Sequence, residues 1–347
     1  MTGACGLIGS ALTRKFAEDY RVVGFDILDE PPDIPLAKYW KADLTSDEST
    51  NEGVAAVREE FGENIASVVH LAAYYDFSGE PSPLYEDLTV QGTGRLLAAL
   101  QPLQVEQFAF SSTLLVHAPC ELGETIDEDS PLEPKWAYPE SKKDTEELIR
   151  KKRGDIPAVL VRLAGVYTEQ CDSIPIANQI KRIYERQMTS KVYPGDLAKG
   201  QPFLHRDDLV DAFERIVSRR KQLPEEQAII IGEDRTFGYG ELQKQLGRLI
   251  HDEEWETKHV PAPIAKTGAW LEDKVPGHDP FIKPWMVDMA DDHVALDISR
   301  ARKLLDWQPR HYLVDTLPKM VESLQKDPVA FYKHNRLEMP SDLEKKV

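Results

Sequence analysis

Four short runs rich in β-branched and aromatic residues, "RVVGFDI" (21–27), "SVVHLAA" (67–73), "QFAFSST" (107–113) and "AVLVRLAGV" (158–166), punctuate the first half of the chain. Between them lie "GLIGSALTRKFAED", "GVAAVREEFGE", "LTVQGTGRLLAALQ" and "YPESKKDTEELIRKK", whose apolar residues recur at helical spacing. Apolar runs of that length read as buried strands. Their alternation with helices demands right-handed crossovers and parallel pairing. Near-continuous apolar strands suit a sheet covered on both faces. The expected fold class is α/β, a doubly wound parallel sheet.

After residue 167 the pattern changes. Helices are expected at 177–187, 206–220 and 239–250, and a strand in "QAIIIGE" (227–233). From Val260 to Pro284 the chain is rich in proline, tryptophan and charge, and no period emerges. The division expected is a nucleotide-binding domain at 1–166, then a mainly substrate-binding domain at 167–335. Segments near 203–220 return to the first domain, and 336–347 form a solvated tail.

The formal net charge of −18 argues against nucleic acid or an anionic membrane as partner. Cys5, Cys120 and Cys171 are few and include no CxxC pair, so neither a disulfide framework nor a zinc site is expected. No apolar run approaches the roughly 20 residues needed to span a bilayer, and the N-terminus lacks a signal-peptide pattern. A soluble cytoplasmic protein acting on a small molecule is the expectation, with no metal.

Gly3, Gly6 and Gly9 in "TGACGLIGS" open onto a helix beginning near Leu7 and Ile8. Such glycines let the backbone approach a diphosphate, whose charge the helix N-terminus stabilises. Asp26 ends the next strand, where a carboxylate binds the adenosine ribose hydroxyls and repels a 2′-phosphate. "DILDEPP" supplies no arginine for that phosphate, so NAD is favoured over NADP. Only Met1 and Thr2 precede the loop, which leaves no room for the strand from which it should hang. Losing about five buried residues there should cost several kcal/mol. A short apolar segment ahead of Met1 is therefore expected, with weak nucleotide binding in its absence.

Tyr138 and Lys142 in "AYPESKK" stand four apart on a helix and share a face. A nearby ammonium favours phenolate and would bring the tyrosine toward the range of a working base. Ser111, Ser112 and Thr113 end the third run, where a hydroxyl can orient a substrate oxygen beside Tyr138.

Taken in order, "TGACGLIG", "FDI", "ADL" (42–44), "VVHLAA", "FSSTLLVH", "YPESK", "VRLAGVY", "FLHRDDLVDAF" and "RKLLDWQP" resemble the extended short-chain dehydrogenase/reductases, which include the NAD-dependent epimerase/dehydratase group. The resemblance runs from Thr2 to about Pro309. It implies a Rossmann sheet and NAD as cofactor. Asp43 and Leu44 would flank the adenine, Leu71, Ala72 and Ala73 the ribose, and Ser111 the cofactor. Thr113 would take the active-site hydroxyl position, Tyr138 the base and Lys142 its helper. It also implies a homodimer through helices around 88–100 and 139–152.

Departures narrow the chemistry. Leu114 and Leu115 follow Thr113 where dehydratases and decarboxylases usually carry an acid, so those chemistries lose ground. Gln201 stands where sugar-nucleotide enzymes carry an arginine, and "PWMVDMADDH" lacks a second one. His117 replaces a usual tyrosine and Thr89 an asparagine. "YPESKK" and "LAAYYDFSG" look more like the 3β-hydroxysteroid dehydrogenase-like branch. Trp270, Trp285, Met286 and Met289 line either an apolar pocket or an ordinary core. His70 reads as a core histidine, Cys5 as a small packing residue, and Arg206, Asp207 and Asp208 as a helix-start charge cluster beside His205.

The reading is hydride transfer at a secondary alcohol. A net oxidation and an internal oxidation–reduction cycle that epimerises remain equally open. The alternatives to that reading are a nucleotide-sugar epimerase with an atypical diphosphate grip and a non-catalytic NAD sensor; loss of Tyr138 or Lys142 would mark the sensor, and both are present.

Overall fold

The computed structural model describes residues 1–76, 78–273, 282–340 and 343. Strand β1 (Val23–Asp26) pairs with β2 (Lys38–Lys41), and β3 (Val68–His70), β4 (Phe108–Thr113) and β5 (Ala158–Leu163) run side by side. The short β6 (Gly165–Tyr167) pairs with β7 (Phe203–His205), and β8 (Glu226–Ile231) closes the far edge beside β5. Every pairing is parallel, and the order is β8-β5-β4-β3 on one side and β1-β2 on the other.

Both faces are covered, which is why the strands read as nearly continuous apolar runs. All six residues of β5 are buried. Ala158 and Leu160 join Phe108, Phe110, Leu97 and Ile149 on one face, while Val159, Val161 and Leu163 join Leu12, Phe16 and Phe213 on the other. Helices α1 (Leu7–Phe16), α2 (Asp47–Phe61), α3 (Gln91–Leu100) and α4 (Ala137–Lys152) supply the layers, α3 packing against both α2 and α4. A π-helical turn, Tyr85–Val90, leads into α3. Strand β2, which the sequence pattern did not predict, is an edge strand whose "KYWK" sets a lysine at each end of two aromatics, and charge is what exposed edges tolerate.

The second half contributes to two cores. Helix α5 (Ile174–Tyr184) belongs to a separate helical lobe, whereas α6 (Arg206–Ser218) packs on α1. Helices α7 (Tyr239–His251), α8 (Ala262–Asp273), α9 (Pro284–Asp288), α10 (Ser299–Leu305), α11 (Leu313–Lys326) and α12 (Pro328–His334) complete the described helices. The lobe core joins Ile176, Leu246, Trp255, Leu317 and Tyr332 from α5, α7, α11, α12 and the loop after α7. The return to the sheet extends beyond 203–220, because β8 and α10 also bury Ile229, Ile231, Ala301 and Leu305 in the sheet core. Helix α8 lies in the stretch that showed no period, and α9 begins at its last residue, Pro284. Leu337 and Leu343 are buried in the lobe core, so the terminal residues described are anchored rather than solvated.

Two residues join the halves of the sheet. Thr2 bridges in parallel to Phe25 on β1 and to His70 on β3. Its hydroxyl lies 2.6 Å from His70 Nδ1, and His70 Nε2 lies 2.8 Å from Thr93 Oγ1. Thr93 spends its one proton on the Thr89 carbonyl at 2.6 Å, so Nε2 carries the histidine proton and Nδ1 accepts from Thr2. Burial pushes His70 down to about 3, keeping it neutral. The Thr2 oxygen then accepts the Leu71 and Ala72 amides, each at 3.2 Å. Thr2→Val keeps the shape and strands these partners. It should lower stability by about 1–3 kcal/mol in urea unfolding, with an unchanged m-value.

Candidate active site

The glycine loop is pressed against the end of β3. Gly3 has φ +65°, and a Cβ there would lie 3.0 Å from the Ala72 nitrogen. A Cβ on Gly9 would lie 2.1 Å from the Gly3 oxygen and 2.8 Å from Ala4 Cα, so the helix can approach the loop only through glycine. Gly6 caps α1 with no side-chain hydrogen bond, and the first turn contains no acid. The Leu7 and Ile8 end of α1 thus offers its positive pole to an anion. That uncapped end, beside a cradle closed to any Cβ, fits a diphosphate.

Asp26 is engaged within the protein as well. Its Oδ2 accepts the Cys5 amide at 2.9 Å and its Oδ1 the Ile27 amide at 2.8 Å. A carboxylate accepts about four hydrogen bonds, which leaves capacity for two ribose hydroxyls. Burial and the Asp26 charge push the Cys5 thiol up, so it stays a thiol packed in the loop. Asp43 turns the chain into α2, its Oδ1 accepting the Thr45 amide at 2.8 Å and hydroxyl at 2.7 Å; Leu44 beside it is buried. Leu71, Ala72 and Ala73 are half-buried along the rim after β3. Thr89 accepts the Tyr74 amide at 2.9 Å, tying that rim to the turn before α3.

Across the sheet, Thr113 ends β4 and Tyr138 and Lys142 stand one turn apart on α4. The Lys142 ammonium donates to the Ser111 carbonyl at 2.7 Å and lies 5.8 Å from the centre of the Tyr138 ring. Loss of solvent draws Lys142 down to about 7, against the pull of the Glu146 carboxylate. Burial pushes the Tyr138 phenol up, and the nearby Thr113 hydroxyl pulls it the other way. This corrects the expectation that the ammonium would bring the phenol down. Lys142 is tethered to a backbone carbonyl, and desolvation dominates both groups.

Behind α4 lies a buried ionic cluster that the sequence pattern did not predict. Arg162 donates from Nε to Glu146 Oε1 at 3.0 Å and from Nη2 to Oε2 at 2.7 Å. Ser112 donates to the same carboxylate at 2.6 Å. Arg162 Nη1 donates to His117 Nε2 at 3.0 Å and to the Glu128 carbonyl at 2.9 Å. Burial and Arg162 hold His117 down to about 4, so it faces this cluster as a neutral acceptor. The signal in the sequence was one arginine inside the apolar run "AVLVRL".

An aromatic wall flanks the phenol. The Tyr138 ring meets Tyr75 at 4.8 Å and Trp136 at 5.4 Å, and Trp136 meets Trp285 at 5.2 Å. Trp285 donates to the Ser78 carbonyl at 3.1 Å, and a Cβ on Gly79 would fall 2.2 Å from its indole nitrogen. Met286 and Met289 are half-buried near it, whereas the Trp270 side chain lies outside the described residues. Gln201 donates to the Asp292 carbonyl at 3.0 Å. His205 stacks on His311, and Asp208 accepts the Arg310 and His311 amides, so these residues secure the start of α6.

The sequence profile described as the NAD dependent epimerase/dehydratase family matches residues 1–232. The chain is 26% identical to UDP-glucose 4-epimerase of Mycolicibacterium smegmatis, covering 93% of this chain and 96% of that protein. It is 23% identical to the decarboxylating sterol-4-alpha-carboxylate 3-dehydrogenase of Candida albicans, covering 88% and 91%. Among solved structures, MoeE5 in complex with UDP-glucose and NAD superimposes with a TM-score of 0.68 at 21% identity, covering 94% of this chain and 98% of that one. UDP-glucuronic acid 4-epimerase from Bacillus cereus, in complex with UDP-glucuronic acid and NAD, gives 0.69 at 21% identity over the same shares. These superpositions establish a Rossmann-type α/β fold with a C-terminal lobe.

If the loop is closed as its glycines indicate, Gly9→Ala should weaken NAD binding at least about tenfold in titration calorimetry. Its circular dichroism spectrum should match that of the parent.

Proposed function

The chain belongs to the NAD dependent epimerase/dehydratase family, and on that premise we propose that it interconverts a secondary alcohol and its ketone at Tyr138, on a substrate with an apolar body. NAD, the family's cofactor, supplies the hydride acceptor and donor when bound. Gly3, Gly6, Leu7, Ile8 and Gly9 cradle its diphosphate, Asp26 takes the adenosine ribose, and Asp43 and Leu44 flank the adenine. Leu71, Ala72, Ala73, Ser111 and Lys142 hold the nicotinamide end beside Tyr138.

In the oxidising direction Thr113 accepts or donates a hydrogen bond to hold the alcohol oxygen. Tyr138 as phenolate takes the hydroxyl proton, the carbinol hydrogen leaves with its electron pair, and the carbonyl forms. In the reducing direction the protonated phenol returns the proton. The Ser111 carbonyl keeps the Lys142 amine in place beside the ring, where it holds the nicotinamide ribose.

The observation that carries the substrate class is the wall of Tyr75, Trp136 and Trp285 around the phenol. Gln201, at the position of a diphosphate-gripping arginine, already uses its amide on Asp292. A flat apolar ring system fits such a wall better than a dianionic diphosphate does. The full-length likeness to a UDP-glucose 4-epimerase favours a second reading, sugar-nucleotide epimerisation. The site is further proposed to work in a cytoplasmic homodimer joined through α3 and α4. Support for that placement is the net charge of −18 and the finding that no described helix is long and apolar enough to cross a membrane.

Incubation with NAD and a panel of alicyclic alcohols, with UDP-sugars alongside, tests the proposal through the absorbance of reduced nicotinamide and through product analysis. Turnover of the alicyclic set supports it, and turnover of UDP-sugars alone replaces it with the second reading. Because burial raises the phenol, Tyr138 is protonated at neutral pH, and oxidation should quicken as the medium becomes alkaline while reduction does not. Tyr138→Phe should lower kcat by about 10²-fold or more. An undiminished kcat would remove the tyrosine from the chemistry.

A further inference from the structure

The aromatic wall beside the phenol closes on itself. Tyr75 meets the Tyr138 ring, Tyr138 meets Trp136, and Trp136 meets Trp285. The Trp285 indole then returns to the backbone three residues beyond Tyr75, donating to the Ser78 carbonyl at 3.1 Å. Tyr75 and Ser78 follow β3 and Trp136 precedes α4, whereas Trp285 is brought in from the far half of the chain on α9.

Both partners of the Ser78–Trp285 bond are anchored. Asp76 opens a turn: its Oδ1 accepts the Ser78 amide at 2.9 Å and its Oδ2 the Ser78 hydroxyl at 2.7 Å. Tyr85, in the π-helical turn before α3, donates to the Asp76 carbonyl at 3.1 Å and sets its ring edge-on to Tyr74 at 4.8 Å. On the other side Pro284 opens α9 with its φ already fixed for a helix, and Val287 of the same helix is buried.

Gly79 is what lets the indole reach that carbonyl. Its φ is +77°, a backbone conformation that residues with a side chain rarely adopt. A Cβ there would lie 2.2 Å from Trp285 Nε1, 2.6 Å from Cε2 and 2.9 Å from Cδ1. All three are atoms of one rigid ring, so the indole has to leave if a methyl group enters. One missing Cβ and one hydrogen bond thus fix the indole within the wall around Tyr138.

We propose, resting on the reading of Tyr138 as the group that works on an apolar alcohol, that Gly79 and Trp285 are the specificity-determining pair of this site. The indole seated on Gly79 narrows the approach to Tyr138 to a flat ring system and turns away cage-shaped ones. A flat ring gains face and edge contacts with a wall of fixed aromatic rings. A cage of the same carbon count has no face to offer and needs the width that Trp285 takes up. Removing the indole and adding a methyl group at Gly79 are opposite changes of volume, yet both empty the same place.

Two secondary alcohols of equal carbon count test it, the flat β-tetralol and the cage-shaped secondary adamantanol. Ketone formed with NAD gives kcat/KM for each on the parent, Trp285→Ala, Trp285→Phe and Gly79→Ala, with circular dichroism to check folding. The parent should prefer β-tetralol at least about tenfold. Trp285→Ala and Gly79→Ala should each cut that preference at least about fivefold, and Trp285→Phe, which keeps a ring in place, should retain most of it. Exchange of the Trp285 indole N–H, slowed by Ser78 in the parent, should quicken in Gly79→Ala whether or not any alcohol turns over. A parent without the preference, a folded alanine variant that keeps it, both alcohols lost by the same factor, or an indole N–H unmoved by Gly79→Ala would overturn the pairing and leave Tyr138 as the reacting group. Turnover of neither alcohol by the parent would remove that reading, and the pairing with it. If Trp285→Ala does not fold, Gly79→Ala decides.

Discussion

The sheet is held in one piece by the backbone of Met1 and Thr2. On one side of them stand β1 and β2, on the other the run from β3 to β8, and the hydrogen bonds of these two residues alone give both halves a common register among the described strands. The nucleotide cradle inherits that register. The Thr2 hydroxyl positions the Leu71 and Ala72 amides. Gly3 turns away over those same residues, and Gly9 brings α1 down onto Gly3. Asp26, at the end of β1, then pins the loop through Cys5. A shift of one residue between the halves would misplace every one of these contacts.

A second constraint sits under α4. Lys142 is a buried amine and Glu146, one turn on, a buried acid matched by the fork of Arg162 from β5. A buried ion pair is poor evidence of net stability, since desolvation offsets much of the attraction. Its consequence here is orientation: Glu146 cannot leave Arg162 without stranding a charge, so the turn of α4 that carries Tyr138 and Lys142 is fixed against β4 and β5. With Tyr138 and Lys142 both desolvated, each is pushed toward its neutral form. That is the state in which a phenol gives a proton to a ketone and a lysine near neutrality can follow the change in charge beside it.

Much of this was legible in the sequence. The apolar runs located β1, β3, β4, β5 and β8, because strands buried on both faces advertise themselves by composition. The glycine spacing, Asp26 and the Tyr138–Lys142 pair were readable since each needs a particular residue type at a particular separation. Strand β2 was not legible, because an edge strand in "KYWK" has no apolar run to betray it. The Arg162–Glu146 pair was hidden because its partners lie 16 residues apart in different elements. The aromatic wall was visible only in part: Trp285 comes to Trp136 across the whole second half of the chain, through a lobe whose sequence has no clear period. The fate of Lys142 was misjudged because a backbone carbonyl, the oxygen of Ser111, leaves no mark in a pattern of side chains.

The most direct test of hydride transfer at this site uses an alicyclic alcohol carrying deuterium on its carbinol carbon, incubated with the protein and NAD. Mass spectrometry should find the deuterium on the nicotinamide ring when the ketone is released, or back on the carbinol carbon of an alcohol of inverted configuration when the ketone is reduced again in place. A protein that is folded and binds NAD, yet leaves both the label and the configuration of every alcohol and UDP-sugar tried unchanged, would contradict catalysis here and leave a nucleotide sensor in its place.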